Sequence, residues 1–184
     1  DVSMYGVLPT GCYPKAVSGN GVERFTYSAW VKLADSTQGG TLLGEFNTGY
    51  NTALRFSVNV SGFDISTYMR NQGNTATAAA DVGGLDVDNN EWHLVAVTFN
   101  GSQLVTYYDG RAVKTIATSI TNLTNWDYPM PLLAVNSRGT YDGFFKGAVD
   151  DLKIYNYAVA AEEMAQLYYD TTGKKVCFYG NPEM

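Results

Sequence analysis

From Trp92 to Ala117 apolar and polar residues alternate in three short runs, Trp92 to Phe99, Gln103 to Tyr108 and Arg111 to Ala117. A period of two sends successive side chains to opposite faces of a strand, so each run reads as a strand with one buried face. The runs are separated by Asn100-Gly101 and Asp109-Gly110. Such pairs tolerate the two positive φ values of a type I′ turn, which predicts three antiparallel strands joined by two-residue loops.

The same patterning predicts strands over Arg24 to Leu33, Thr41 to Phe46, Ala53 to Val60 and Phe63 to Arg70, punctuated by Gly39-Gly40, Gly49 and Ser61-Gly62. Downstream, Pro131 to Val135 and Phe144 to Tyr155 complete the set. The stretch Asn71 to Leu85 is small, polar and Gly-rich, and predicts a long loop or a weak strand. One helix is expected from Ala161 to Tyr169, with acidic residues in its first turn and Met164, Leu167 and Tyr168 on one face, packed at the edge of the fold. About ten to twelve short strands predict two packed sheets, because one open sheet that large leaves a face uncovered. The expected fold class is all-β, a two-sheet antiparallel sandwich with one short C-terminal helix.

Composition agrees with this picture: 14 Tyr, 8 Phe, 3 Trp and 19 Gly favour pleated strands and tight turns. A chain of 184 residues fits one domain, expected over 1–172, with 173–184 a tail or linker to a following module. Twelve Lys and Arg against eighteen Asp and Glu give a net charge of -6, which repels phosphate backbones and argues against nucleic acid as a partner. No apolar run approaches bilayer length, so membrane insertion is not expected. The chain opens on Asp1 with neither an initiator Met nor a signal pattern, which reads as a segment of a larger secreted or cell-surface protein whose other domains are partners.

Cys12 and Cys177 lie near opposite ends. A sandwich often brings its termini together, so they are candidates for a disulfide; the alternative is that Cys177 pairs with another domain. Three Asn-x-Ser/Thr sites, at Asn59, Asn100 and Asn122, carry little weight, since so short a motif arises by chance.

Three segments, FTYSAWVKL (Phe25 to Leu33), EWHLVAVTFNGSQLVTYYDGRAV (Glu91 to Val113) and GFFKGAVDDLKIYNYAVAAEEMAQLY (Gly143 to Tyr168), resemble in order and spacing the laminin-G-like, concanavalin A-like jelly-roll family of secreted bacterial proteins. The resemblance implies two curved antiparallel sheets, a concave face with flanking loops open to ligands, and often a structural Ca2+. Members serve as carbohydrate-binding modules, adhesion domains and receptor ectodomains, so function must be argued from residues. The chain departs from the family at its start, where an Asp-rich strand of the FDGVDDY kind is reduced to DVSMYGVLP.

Enzymes also use this fold. A retaining glycosidase needs two carboxylates about 5 to 5.5 Å apart. The Glu-x-Asp-x-x-Glu strand motif of laminarinase-like enzymes and the paired strand glutamates of family-eleven xylanases are absent, and Glu23, Glu45, Asp64, Asp81, Asp86, Asp88 and Asp142 are expected mostly in or beside turns. Phe144-Phe145-Lys146-Gly147 faintly echoes a lyase motif, yet His93 is the only histidine and reads as a strand-start residue. One histidine also excludes multi-His zinc sites. No catalytic residue is assigned, and a glycoside hydrolase or lyase ranks behind binding functions.

In Phe144 to Tyr155, strict alternation puts Asp150 on one face with Ala148, Leu152 and Ile154. A carboxylate facing inward must be hydrogen-bonded or metal-bound. Asp150 therefore either accepts backbone N–H bonds from a loop or ligates a structural Ca2+ with main-chain carbonyls and Asp1.

Sugar recognition uses aromatic rings stacked on pyranose faces plus planar polar groups that bind hydroxyls. Candidate ligand-binding residues are Asn47 and Tyr50 beside one turn, Trp126 and Tyr128 in a Pro-flanked loop, and Asn136, Arg138 and Tyr141 in another. If Phe63, Ile65 and Met69 face inward, then Asp64, Ser66, Tyr68 and Arg70 face outward and add Tyr68 and Arg70 to that set. Trp126 ranks first, being an aromatic in a polar loop, while Trp30 and Trp92 are expected in the core. The function these residues suggest is a non-catalytic carbohydrate-binding module for a polysaccharide or glycan; the alternative is a protein-interaction or adhesion domain.

Overall fold

A computed structural model describes residues 6–8, 23–46, 53–71, 73, 75–121, 123, 130–137 and 139–173. In chain order the strands are β1 (Gly6–Val7), β2 (Phe25–Lys32), β3 (Gly40–Phe46), β4 (Ala53–Val60), β5 (Phe63–Arg70), β6 (Thr77–Val82), β7 (Trp92–Phe99), β8 (Gln103–Tyr108), β9 (Arg111–Ala117), β10 (Pro131–Leu132), β11 (Val135–Ser137), β12 (Thr140–Asp142) and β13 (Ala148–Tyr155). They form an eight-stranded sheet ordered β1-β10-β3-β4-β5-β6, with β11 pairing β3 and β12, and a five-stranded sheet ordered β13-β2-β7-β8-β9. Pairing is antiparallel except between β11 and β3. This is the all-β sandwich that the alternation predicts.

The core lies between the sheets. Phe25, Tyr27, Val31, Val95, Val97 and Phe99 from one sheet meet Leu43, Leu54, Phe56, Val58, Ile65 and Met69 from the other, all essentially inaccessible to solvent. Phe25 stacks on Tyr27 at 4.8 Å between ring centroids and lies 5.6 Å from Phe99, its register partner on β7.

The turn chemistry is partly as read. Asp109 and Gly110 both take positive φ (48° and 75°), as do Ser61 and Gly62 (58° and 81°), giving two-residue hairpin loops. At Asn100-Gly101 only Gly101 is left-handed. There the Asn100 side-chain oxygen accepts the N–H groups of Ser102 and Gln103, at 3.0 and 2.8 Å, and closes the loop by side chain instead of by a type I′ backbone.

Several elements differ from expectation, each for a local reason. Asn71 to Leu85 contains a full strand, β6, whose inward residues are Ala78, Ala80 and Val82; alanines carry little strand signal but fit close to β5. Pro131 to Val135 is two strands, because Leu133 at φ 62° breaks the run. Phe144 to Lys146 precedes β13 instead of extending it, and Gly147 at φ 137° makes the break. Phe63 shares the inward parity of Ile65 but sits beside the turn and is 40% exposed.

The helix α1 spans Ala161–Thr172 and ends on Gly173, a left-handed C-cap whose N–H reaches Tyr169 O at 2.6 Å. It covers the outer face of the five-stranded sheet instead of packing at an edge: Met164 joins Trp30, Leu94, Ala96, Tyr107 and Val159 in a second apolar cluster, and Tyr168 stacks on Trp30 at 5.7 Å. Its N-cap is Ala160, extended at φ -70° and ψ 158°, with no side-chain cap bond. Glu163, the other half of a potential capping box, instead accepts the Tyr157 hydroxyl at 2.9 Å. Ala160→Ser is therefore expected to stabilise the fold by about 0.5–2 kcal/mol. A denaturant midpoint that stays put or falls would show that the serine hydroxyl does not reach the first-turn N–H groups.

Candidate functional site

Helix α1 covers part of the outer face of the five-stranded sheet, and the outer face of the eight-stranded sheet carries the row of β5 that includes Tyr68 and Arg70. Register fixes which side chains stand there. The core-facing row runs Leu43, Phe56, Thr67, Ala80; residues one step along each strand point the other way. They form three cross-strand rows: Thr41, Ser57, Ser66 and Asp81; Gly44, Arg55, Tyr68 and Ala79; Phe46, Ala53, Arg70 and Thr77. The rows carry hydroxyls, two guanidiniums, a carboxylate and two aromatic rings.

The face is sheltered. Thr41, Ser57, Ser66 and Arg70 are buried although they point away from the core, while Arg55, Tyr68 and Phe46 are half-buried. Thr41 and Ser57 share a hydrogen bond of 3.2 Å, and Ser66 donates to Asp81 at 2.7 Å. Tyr68 stacks on Phe46 with ring centroids 6.1 Å apart and planes 27° from parallel. Arg55 stands between Tyr68 and Gly44. A Cβ on Gly44 would lie 3.0 Å from Thr41 Cγ2 and from Val135 Cγ2, so this point of the face has no room for a further side chain.

Of the residues picked from sequence, Tyr68 and Arg70 thus share one face with Asp64 and Ser66, as the alternation predicts. Asn136 does not join them. It is buried on the core-facing parity of Glu45, and its side-chain oxygen accepts the Gly139 N–H at 2.8 Å, closing the β11–β12 turn. Tyr141 is half-buried opposite Asn136. Asn47, Tyr50, Trp126, Tyr128, Arg138, Cys12 and Cys177 lie outside the described residues.

Arg55 and Phe46 were missed by sequence reasoning, although the alternation of β4 and β3 held the signal. Glu45, expected near a turn, is fully buried on the core side of β3. Burial, then the Glu45 carboxylate, push the Tyr27 phenol above its ordinary value of 10.0.

Asp150 does not point into the core. A register shift between Asp150 and Lys153, with Asp151 at φ 47°, reverses the alternation. Asp150 pairs with Trp30 on the outer face, whereas Leu152 and Ile154 face inward. Asp150 Oδ1 accepts the Asp151 N–H at 2.7 Å, and Lys153 holds the Asp151 carboxylate. Calcium takes six to eight oxygens. Among the described residues no three of His, Cys, Asp and Glu gather into one group, and Asp1, the other carboxylate proposed for the ion, lies outside them.

Asp150 instead lines a cleft of about 400 Å³ with Trp30, Glu91, Trp92, Asp151, Thr171 and Thr172. Trp92, expected in the core, is 43% exposed at the start of β7. His93 is structural: its ring lies 2.9 Å from Asp109 Oδ2 and 3.1 Å from Asn89 Oδ1 and stacks on Tyr108 at 4.9 Å.

Residues 13–165 match a family model, Laminin_G_3, described as the Concanavalin A-like lectin/glucanases superfamily. No curated protein matches the chain in sequence. Among solved structures the chain is similar to a Bacteroides ovatus ATCC 8483 protein to which carbohydrate binding has been provisionally ascribed, at 15% identity and a TM-score of 0.62. That match covers 88% of this chain but 44% of the other, so the chain spans less than half of that protein. A heptameric SAP-like pentraxin from Limulus polyphemus gives 10% identity, a TM-score of 0.60 and coverage of 89% and 79%. The CBM40 of the Ruminococcus gnavus IT-sialidase, bound to α2,3-sialyllactose, gives 16% identity, a TM-score of 0.61 and coverage of 80% and 84%. At such identities the likeness is one of fold.

Proposed function

We propose, on the premise that the chain belongs to the concanavalin A-like lectin/glucanase superfamily, that it is a non-catalytic carbohydrate-binding module of a larger secreted or cell-surface protein. One observation carries this reading: the outer face of the eight-stranded sheet sets the stacked Tyr68 and Phe46 rings beside Arg55 and the Ser57, Ser66 and Asp81 polar groups. A ring offers an apolar surface to the C–H face of a pyranose, while hydroxyls and a guanidinium bind its oxygens. Sialyllactose on the similar sialidase module supports the reading. Among the three rows Asp81 is the single acid, and Asp64, further along β5 on the same face, accepts the Leu85 N–H at 2.8 Å.

A glycan array followed by affinity electrophoresis on plant, algal and host polysaccharides tests the proposal. Tyr68→Ala is expected to weaken binding at least about tenfold, since stacked and hydrogen-bonded contacts at the centre of a site contribute about 1–3 kcal/mol, while the melting midpoint moves little. Absence of binding to any glycan, with protein partners captured instead, would assign the chain to adhesion. Unchanged glycan affinity in Tyr68→Ala would place the site elsewhere.

A further inference from the structure

Resting on the reading of the eight-stranded sheet as the glycan face, we infer that its ligand is an anionic glycan, with a carboxylate or sulfate group seated on Arg55. Arg55 Nε is closed off from solvent and has no hydrogen-bond partner among the described residues. A desolvated Nε–H without an acceptor is unfavourable, because that donor gives up its hydration and receives nothing in return. The neighbours on its own row do not supply an acceptor charge: Gly44 has no side chain, and Tyr68 and Ala79 are neutral. Asp81, the one carboxylate of the three rows, stands two strands away with Oδ1 held by Ser66.

Geometry adds a second reason. Arg70 lies two residues beyond Tyr68, the register partner of Arg55, so the two guanidiniums are diagonal neighbours on one face, about 7–8 Å apart at the backbone. A planar guanidinium matches carboxylate and sulfate oxygens with two parallel N–H bonds, which a sugar hydroxyl cannot accept in the same way. Arg55 is also next to the Tyr68 ring that would carry the pyranose, so ring stacking and anion contact fit one sugar residue. The chain as a whole carries a charge of -6, so general attraction to polyanions is not what this face exploits.

The test uses matched pairs on one backbone: an oligogalacturonate against its methyl ester, and a sulfated galactan oligosaccharide against its desulfated form, by calorimetry with the whole chain. The charged member of at least one pair is expected to bind about tenfold or more tightly, the worth of a hydrogen-bonded charge; which pair responds separates carboxylate from sulfate. Arg55→Gln is expected to erase that difference, and Arg55→Lys to restore part of it, with melting curves showing that each variant folds. Equal binding of charged and neutral members, or a preference that survives in both variants, overturns the inference and leaves glycan binding itself standing. Failure to bind any member of the pairs or of the wider array overturns both.

Discussion

Truncating Phe25 to alanine is expected to destabilise the fold by about 3–5 kcal/mol. The side chain is inaccessible to solvent and sits where the two sheets face each other. It contacts Tyr27 along its own strand and Phe99 across to β7, at 4.8 and 5.6 Å between ring centroids. Removing it leaves a cavity whose walls belong to paired strands, and strands held by ladder hydrogen bonds on both sides close in poorly. Domains of this size are stable by about 5–15 kcal/mol, so the loss is a large share of the total. Equilibrium denaturation measures it, and Phe25→Leu, which keeps most of the volume, should cost well under half as much. A loss below about 1 kcal/mol for Phe25→Ala would mean that the inter-sheet core does not close around this ring.

Gly40→Ala is expected to be comparably damaging, by about 3 kcal/mol or more, from two added causes. Gly40 has φ 135°, a conformation that residues with a Cβ rarely adopt. A Cβ built there would lie 2.5 Å from Phe144 O and 2.7 Å from Phe145 Cα. Both are backbone atoms in a segment pinned by Gly39–Lys146 hydrogen bonds of 2.8 and 2.7 Å and by Thr41 N–H on Gly143 O at 2.9 Å, so neither can step aside cheaply. The contact joins the start of β3 to the approach to β13 and so links the two sheets through the chain. A circular-dichroism melt of Gly40→Ala reads the effect. A midpoint within a degree or two of the parent would show that the segment Phe144 to Lys146 can move away from β3.

Much of this architecture was legible because strand alternation is a local property. The meander β7-β8-β9, the inward parity of Ile65 and Met69, the outward parity of Tyr68 and Arg70, and the uncapped start of α1 at Ala160 all follow from residues within a few positions of one another. The family resemblance, carried by three segments in order, agrees with the match over residues 13–165. Local reading failed where one residue changed the phase of the chain. Asp150 was placed with Leu152 and Ile154 because strict alternation was assumed, and the bulge at Asp150–Lys153 reversed it. Leu133, in the left-handed region, split one expected strand into two in the same way.

The sequence by itself determined that this chain is an all-β sandwich with a polar face on β5, since burial of alternate residues is encoded in the order of side chains along each strand. Only the tertiary structure decided which of the two outer faces the helix covers. That choice depends on α1 laying Met164 and Tyr168 over Trp30, Leu94 and Tyr107, a contact between elements far apart in sequence. It also set Arg55 on β4 beside Tyr68 on β5, and Phe46 on β3 against the same tyrosine, through registers that span three strands. A strand's alternation says which side chains share its face. Which neighbours they meet across the sheet is fixed by pairing, and the candidate site is made of those meetings.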